Sequence, residues 1–150
     1  MGTTVVEPIF VDTNVLVFSR VPSAPLHAVA KVAVDAIFLS GADLWISRQI
    51  IREFIATLTR PQKFTPPLPI AQVTGEVLNL ECAAIVADET AAVTQQLLAL
   101  LAAIPCGGKQ VHDANIVATM LVHGVPNLLT HNVADFKRFG HLINVIPLVP

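Results

Sequence analysis

Charge is scarce in this sequence. Lysine, arginine, aspartate and glutamate make up 13% of its 150 residues while hydrophobic residues make up 53%, against a charged share of ~25% in ordinary soluble domains. One small core cannot hide that much apolar surface, so part of it is expected to be covered by a partner. Long apolar runs are missing too: the longest, Leu97 to Ile104, has eight residues, well short of the ~20 a membrane-spanning helix requires. Cysteine is nearly absent. Cys82 and Cys106 are too few for a disulfide framework and too far apart for a CxxC motif, and both are expected as buried thiols. There is no basic excess, since the formal net charge is −2, which by itself offers no reason to expect nucleic-acid binding. The opening MGTTVVEPIF has no basic region and carries Glu7, so no leader is expected and the protein is read as cytoplasmic, with no membrane association. Glycine-rich phosphate loops of the GxxxxGK[ST] and GxGxxG types are absent, as is a GxSxG nucleophile elbow.

What is present fits one domain spanning residues 1–150. Short β-type runs at Pro8–Val11, Leu44–Ile46, Ala83–Ala87, Leu128–Leu129 and Leu142–Val149 alternate with helical periodicity at Leu26–Leu39, Ser47–Thr59, Ile70–Leu80, Glu89–Ala103 and from Val111 onward. Alternation with short connections predicts an α/β fold with a central parallel sheet flanked by helices. Pro147 places the last strand at an edge. On the helix read at Leu26–Leu39, Leu26, Val29, Ala30, Ala33 and Ile37 share the expected core face. The leucines at 97, 98, 100 and 101 span too wide an arc for one sheet and suggest a subunit interface. The stretch from Pro61 to Pro69, PQKFTPPLP, reads as a semi-rigid loop, a lid or a clamp.

The chain is organised around VHDANIVATMLVHGVPNLLTHNVADFKRF, residues 111–139. Asp113 stands at the front of a helix and Asp135 just past a strand, and in such a sheet both places lie at the end where ligands bind. Asp12 closes the first strand, and Glu53 sits at the margin of a helix's buried face. Each acid has an ordinary explanation taken singly: a first-turn acid for Asp113, a cap with Asn132 for Asp135, a cap for Asp12, a surface pair with Arg52 for Glu53. Together, four acids in one partly buried place would repel one another unless a cation sat among them. Oxygen-only ligands select Mg²⁺ or Mn²⁺, and no Cys/His cluster suits zinc. His112, His123 and His131 are expected to be structural or solvent-facing. Such a centre can activate water against a phosphodiester without a protein nucleophile.

FVDTNVLV at 10–17, SRQIIREF at 47–54, VHDANIVA at 111–118 and LLTHNVADFKRF at 128–139 resemble, in order and spacing, the PIN-domain ribonucleases, and more closely the VapC-type toxins of toxin–antitoxin pairs. The resemblance implies a PIN-like α/β/α sandwich and a Mg²⁺- or Mn²⁺-dependent endoribonuclease. Asp12, Glu53, Asp113 and Asp135 match the family's four acidic positions, as catalytic groups and metal ligands. Thr13, Asn14, Thr130 and Asn132 match polar positions that orient those acids or touch RNA. A homodimer silenced by a cognate antitoxin protein is also implied. Arg48, Arg52, Lys109, Lys137 and Arg138 are candidate phosphate contacts. The alternative reading is a non-catalytic PIN-like module that binds RNA or a protein without cutting.

Overall fold

The computed structural model describes residues 5–150; part of the opening stretch read as carrying no leader, residues 1–4, lies outside the described residues. Five strands form one sheet: β1 (Ile9–Val11), β2 (Leu44–Ser47), β3 (Ile85–Ala87), β4 (Asn127–Thr130) and β5 (Asn144–Pro147), in the order β3-β2-β1-β4-β5. Every pairing is parallel. Among the described residues seven α-helices accompany them: α1 (Thr13–Arg20), α2 (His27–Leu39), α3 (Arg48–Leu58), α4 (Ile70–Ala83), α5 (Ala91–Ala103), α6 (Gln110–His123) and the single turn α7 (Val133–Phe136).

The central strands are short and apolar because both sheet faces are covered, and Phe10, Val11, Ile46 and Leu128 are wholly buried. Two strands left the centre for the edges. β5 carries Pro147, whose missing amide is tolerated only there. β3 exposes Ile85 and half-buries Val86. Helix α3 starts at Ser47, whose hydroxyl accepts from the Ile50 amide at 3.3 Å, and α6 ends at Gly124 in the left-handed region at φ 69°.

Three expectations need correcting. The thiols are not buried: Cys82 lies exposed on α4 and Cys106 half-exposed in the loop after α5, both as free cysteines. On α2 the core face is Ala30, Val34 and Ile37, with Ala33 packed against the core as expected, but Val29 faces outward, and Val32, Phe38 and Leu39 are exposed with it. The left-handed Leu26, at φ 58°, precedes the helix and still packs against the core. On α5, Leu100 is buried, Leu97 and Leu101 pack against the core, and Leu98 is the one exposed leucine. The larger apolar surplus therefore sits on α2. Among the described residues no helix is long and apolar enough to cross a membrane.

Topology decides where a ligand can bind. Chain order reverses at β1, with β2 on one side and β4 on the other, and a crevice opens beyond the carboxyl ends of strands at such a switch point.

Candidate active site

Asp12 follows the last residue of β1 and caps α1. Its position is tightly determined: its amide donates to the Leu129 carbonyl at 3.0 Å, continuing the β1–β4 ladder by one residue. Its Oδ1 accepts from the Thr13 amide at 2.8 Å, while Oδ2 accepts from Thr130 Oγ1 at 2.7 Å and Asn14 Nδ2 at 3.2 Å. Burial pushes its carboxyl above the ordinary range, the Thr130 and Thr13 bonds pull it back, and the Glu53 charge raises it further.

Glu53 reaches the same place from α3. Its Oε2 accepts from Thr13 Oγ1 at 2.8 Å and its Oε1 from Gln49 Nε2 at 2.8 Å. It makes no pair with Arg52, which reaches Glu89 instead at 3.3 Å. Asp113, in the first turn of α6, is half-buried and has no hydrogen-bond partner among the described residues. Burial raises its pKa to about 6, and the charges of Asp135, Asp12 and Glu53 add to the effect in that order.

Asp12, Glu53 and Asp113 line one pocket of about 370 Å³, together with Thr13, Asn14, Asn132, Arg60 and Phe64. Asp135 does not line it. It stands exposed on α7, near enough to raise the Asp113 pKa but beyond the rim. The expected knot of four acids is thus three acids around a pocket with a fourth outside. Among the described residues no three acidic, histidine or cysteine side chains stand close enough together to hold a metal as placed. The donor set still fits a hard cation. It is built from carboxylates, it contains no cysteine, and two of its members are pushed toward neutrality by burial and mutual repulsion, which a cation would relieve.

The polar neighbours act on the acids. Thr130 is wholly buried and Thr13 nearly so; the Thr130 hydroxyl donates to Asp12 and the Thr13 hydroxyl to Glu53, and Thr13 also lines the pocket. Asn14 bridges Asp12 and the His131 amide, the latter at 3.1 Å. Asn132 leaves the front of α7 uncapped by its side chain and faces the pocket. His112 and His131 are exposed, and His123 packs on Trp45 with ring centroids 5.7 Å apart.

None of the five cations expected at the groove lines the pocket. Arg48 pairs with Glu81 at 3.4 Å and Asp88 at 3.1 Å, Arg52 pairs with Glu89, and Lys109, Lys137 and Arg138 lie elsewhere on the surface. Arg60 takes that place instead. Glu53 and Thr57, one turn apart on α3, line the pocket with it, but Arg60 lies past the end of that helix, where no spacing signals its place. Gln49 was missed as well. Buried on α3 one turn before Glu53, it donates to Glu53 Oε1 and to the His112 carbonyl at 2.9 Å, and accepts from Asn115 Nδ2 at 2.8 Å.

A doubly wound parallel sheet with carboxylates gathered at its switch point defines a carboxylate-centred α/β domain. Residues 9–142 match the PIN domain family, and the chain belongs to it. It is 27% identical over 134 residues to Ribonuclease VapC24 of Mycobacterium tuberculosis, covering 87% of this chain and 90% of the relative. Among solved structures it resembles VapBC2 from Rickettsia felis bound to a DNA fragment from its promoter, at a TM-score of 0.69 and 17% identity over 93% of this chain and 97% of that one. VapC20 of Mycobacterium tuberculosis, a sarcin–ricin loop cleaving toxin, matches at a TM-score of 0.60 and 22% identity over 80% and 86%.

Proposed function

We infer that this chain is a divalent-metal-dependent endoribonuclease, acting in the cytoplasm as the toxin of a toxin–antitoxin pair. The observation that carries the reading is the meeting of Asp12, Glu53 and Asp113, from three separate elements, around one open pocket at the sheet's switch point. Membership of the PIN domain family and likeness to a named ribonuclease support it. Mg²⁺ or Mn²⁺ is the proposed cofactor, with Asp12, Glu53 and Asp113 as the residues that would hold it and Asp135 adding its negative charge from outside the pocket. When bound, such an ion supplies an acidified water and neutralises charge building on a phosphate in an in-line displacement. The chain's own part is orientation. Thr13, Thr130 and Asn14 fix both oxygens of Asp12, and Thr13 and Gln49 fix both oxygens of Glu53, so neither carboxylate has to reorganise when substrate arrives.

A cognate antitoxin and a second copy of the chain are the proposed protein partners. The exposed Val29, Val32, Phe38 and Leu39 on α2 give such partners apolar surface to cover. A pure binding module would gain nothing from gathering acids that repel each other and phosphate. The test is cleavage of RNA oligomers with Mn²⁺ by the wild type, Asp12→Asn and Asp113→Asn, alongside calorimetric titration with Mn²⁺. Loss of cleavage in both folded variants is expected. Cleavage that persists in both refutes the assignment, and a wild type that binds no Mn²⁺ and cuts nothing favours the module.

A further inference from the structure

The pocket's lining is of two unlike kinds. Besides the carboxylates it includes an aromatic wall of Phe18 on α1 and Phe64 in the proline-rich loop, together with Arg60 and Gln62. Phe18 and Phe64 meet edge to face with centroids 6.2 Å apart at 75°, and Phe18 meets His131 in the same manner at 5.7 Å and 68°. Phe10, Phe54, Phe136 and Phe139 are each at most 1% exposed and fill the core. Phe18 and Phe64 remain partly exposed, and an edge-to-face pair covers at most one face of one ring.

The loop that carries Phe64 is held in place. The Gln62 amide donates to the Thr65 carbonyl at 2.9 Å, Gln62 Nε2 to the Thr57 carbonyl at 2.9 Å, and the Leu68 amide to the Leu58 carbonyl at 2.8 Å. Thr65 is buried beneath the turn. The backbone on both sides of the ring is therefore tied down, to its own turn and to α3. Among the described residues Arg60 is the only cation lining this pocket and forms no ion pair, whereas Arg20, Lys31, Arg48 and Arg52 all do. A cavity of about 370 Å³ is at the lower end of the ~300–1,000 Å³ typical of small-ligand sites.

We propose that Phe64, backed by Phe18 and flanked by Arg60, is a nucleotide subsite. An unpaired base of single-stranded RNA stacks on the Phe64 ring, Arg60 meets the adjoining phosphate, and the strand is laid across the acids. Stacking on an aromatic ring tolerates any base but demands that the base be out of a duplex. This rests on the ribonuclease reading and adds to it the residues of this chain that hold the base and the phosphate beside the acids.

The test uses the full chain and single-stranded RNA oligomers carrying 2-aminopurine. In an Asp113→Asn background, where cleavage is not needed, Phe64→Ala should weaken binding about 10- to 100-fold and abolish the fluorescence quenching that reports stacking. Phe64→Trp should restore both, and Mn²⁺ affinity should not change. A fully paired duplex should bind weakly and indifferently to the substitution. If Phe64→Ala proves unstable by thermal unfolding, Phe64→Leu, which keeps the apolar bulk without the ring, takes its place. RNA affinity and cleavage unchanged in a folded Phe64 variant would overturn the subsite and leave the nuclease standing, the outcome expected if the wall instead receives a partner protein's side chain. A wild type that neither binds nor cuts RNA would overturn both.

Discussion

Thr13 holds two acids at once: its hydroxyl donates to Glu53 Oε2 and its amide to Asp12 Oδ1, each at 2.8 Å. A residue at the first position of α1 thereby ties β1 and α3 into one arrangement, across 40 positions of sequence. Removing the hydroxyl alone separates orientation from charge. Thr13→Val keeps the shape and the amide bond to Asp12 but leaves Glu53 with one donor. A hydrogen bond to a charged group is worth about 1.5–3 kcal/mol, so cleavage at saturating RNA should fall about 10- to 100-fold with KM little changed. Thr13→Ser should recover most of it. Equal rates in the wild type and Thr13→Val would mean that Glu53 needs no such restraint.

Gln49 makes a similar argument from inside α3. Both hydrogens of its amide are used, on Glu53 and on the His112 carbonyl, and its oxygen accepts from Asn115, whose Nδ2 also reaches Glu89 Oε1 at 3.3 Å. It sets the spacing between the helix that carries Glu53 and the helix that carries Asp113. Gln49→Leu leaves the His112 carbonyl and Asn115 without their partner, which should cost about 1–3 kcal/mol in urea unfolding. Gln49→Glu should cost more, because it buries a second negative charge against Glu53. Unchanged unfolding midpoints in both variants would contradict the bridging role.

The alternation of strands and helices, the parallel sheet and the edge position of β5 were legible because each is a local signal: apolar runs of strand length, helical spacing, a proline. The acids at Asp12 and Asp113 were legible for a related reason, since strand ends and helix fronts are visible in sequence and topology puts them at one end. Two things were not. Which of Asp113 and Asp135 turns into the pocket depends on the orientation of the one-turn helix α7, and four residues carry no periodicity to read. The other is how Arg48 and Arg52 are paired, since the sequence offers Arg52 only the neighbouring Glu53 and Arg48 no acid nearby. Their partners Glu81, Asp88 and Glu89 arrive from α4 and the loop after β3, more than 30 positions away.

Asp113 makes stability depend on pH. Its folded pKa, about 6, lies above the ordinary 3.8, so the folded state holds this proton more tightly than the unfolded chain does. The group's contribution to stability is complete below pH 3.8 and is lost as pH rises through about 6. In the presence of a chelator, Asp113→Asn should therefore be more stable than the wild type at pH 8, by on the order of 1 kcal/mol after allowance for solvent screening, or about 3 °C in Tm. The two proteins should converge near pH 4. A difference of the same size at both pH values would show that the substitution acts through something other than the charge.

Arg60 and Arg48 offer a contrast that bears on how the backbone of RNA is met. Arg48 is already neutralised by Glu81 and Asp88 on an exposed surface, where such pairs contribute at most about 1 kcal/mol. Arg60 faces the pocket without a partner among the described residues. Each phosphate neutralised on a single strand contributes about −0.7 to the slope of log affinity against log salt concentration. Arg60→Ala should make that slope shallower by about that amount and weaken binding to all sequences alike, whereas Arg48→Ala and Arg52→Ala should leave it where it was. The measurement is a salt titration of single-stranded RNA binding in the Asp113→Asn background. A slope that flattens with Arg48→Ala and not with Arg60→Ala would place the strand across α4 and β3 instead of along the aromatic wall, and would move the nucleic-acid path away from the pocket that the acids line.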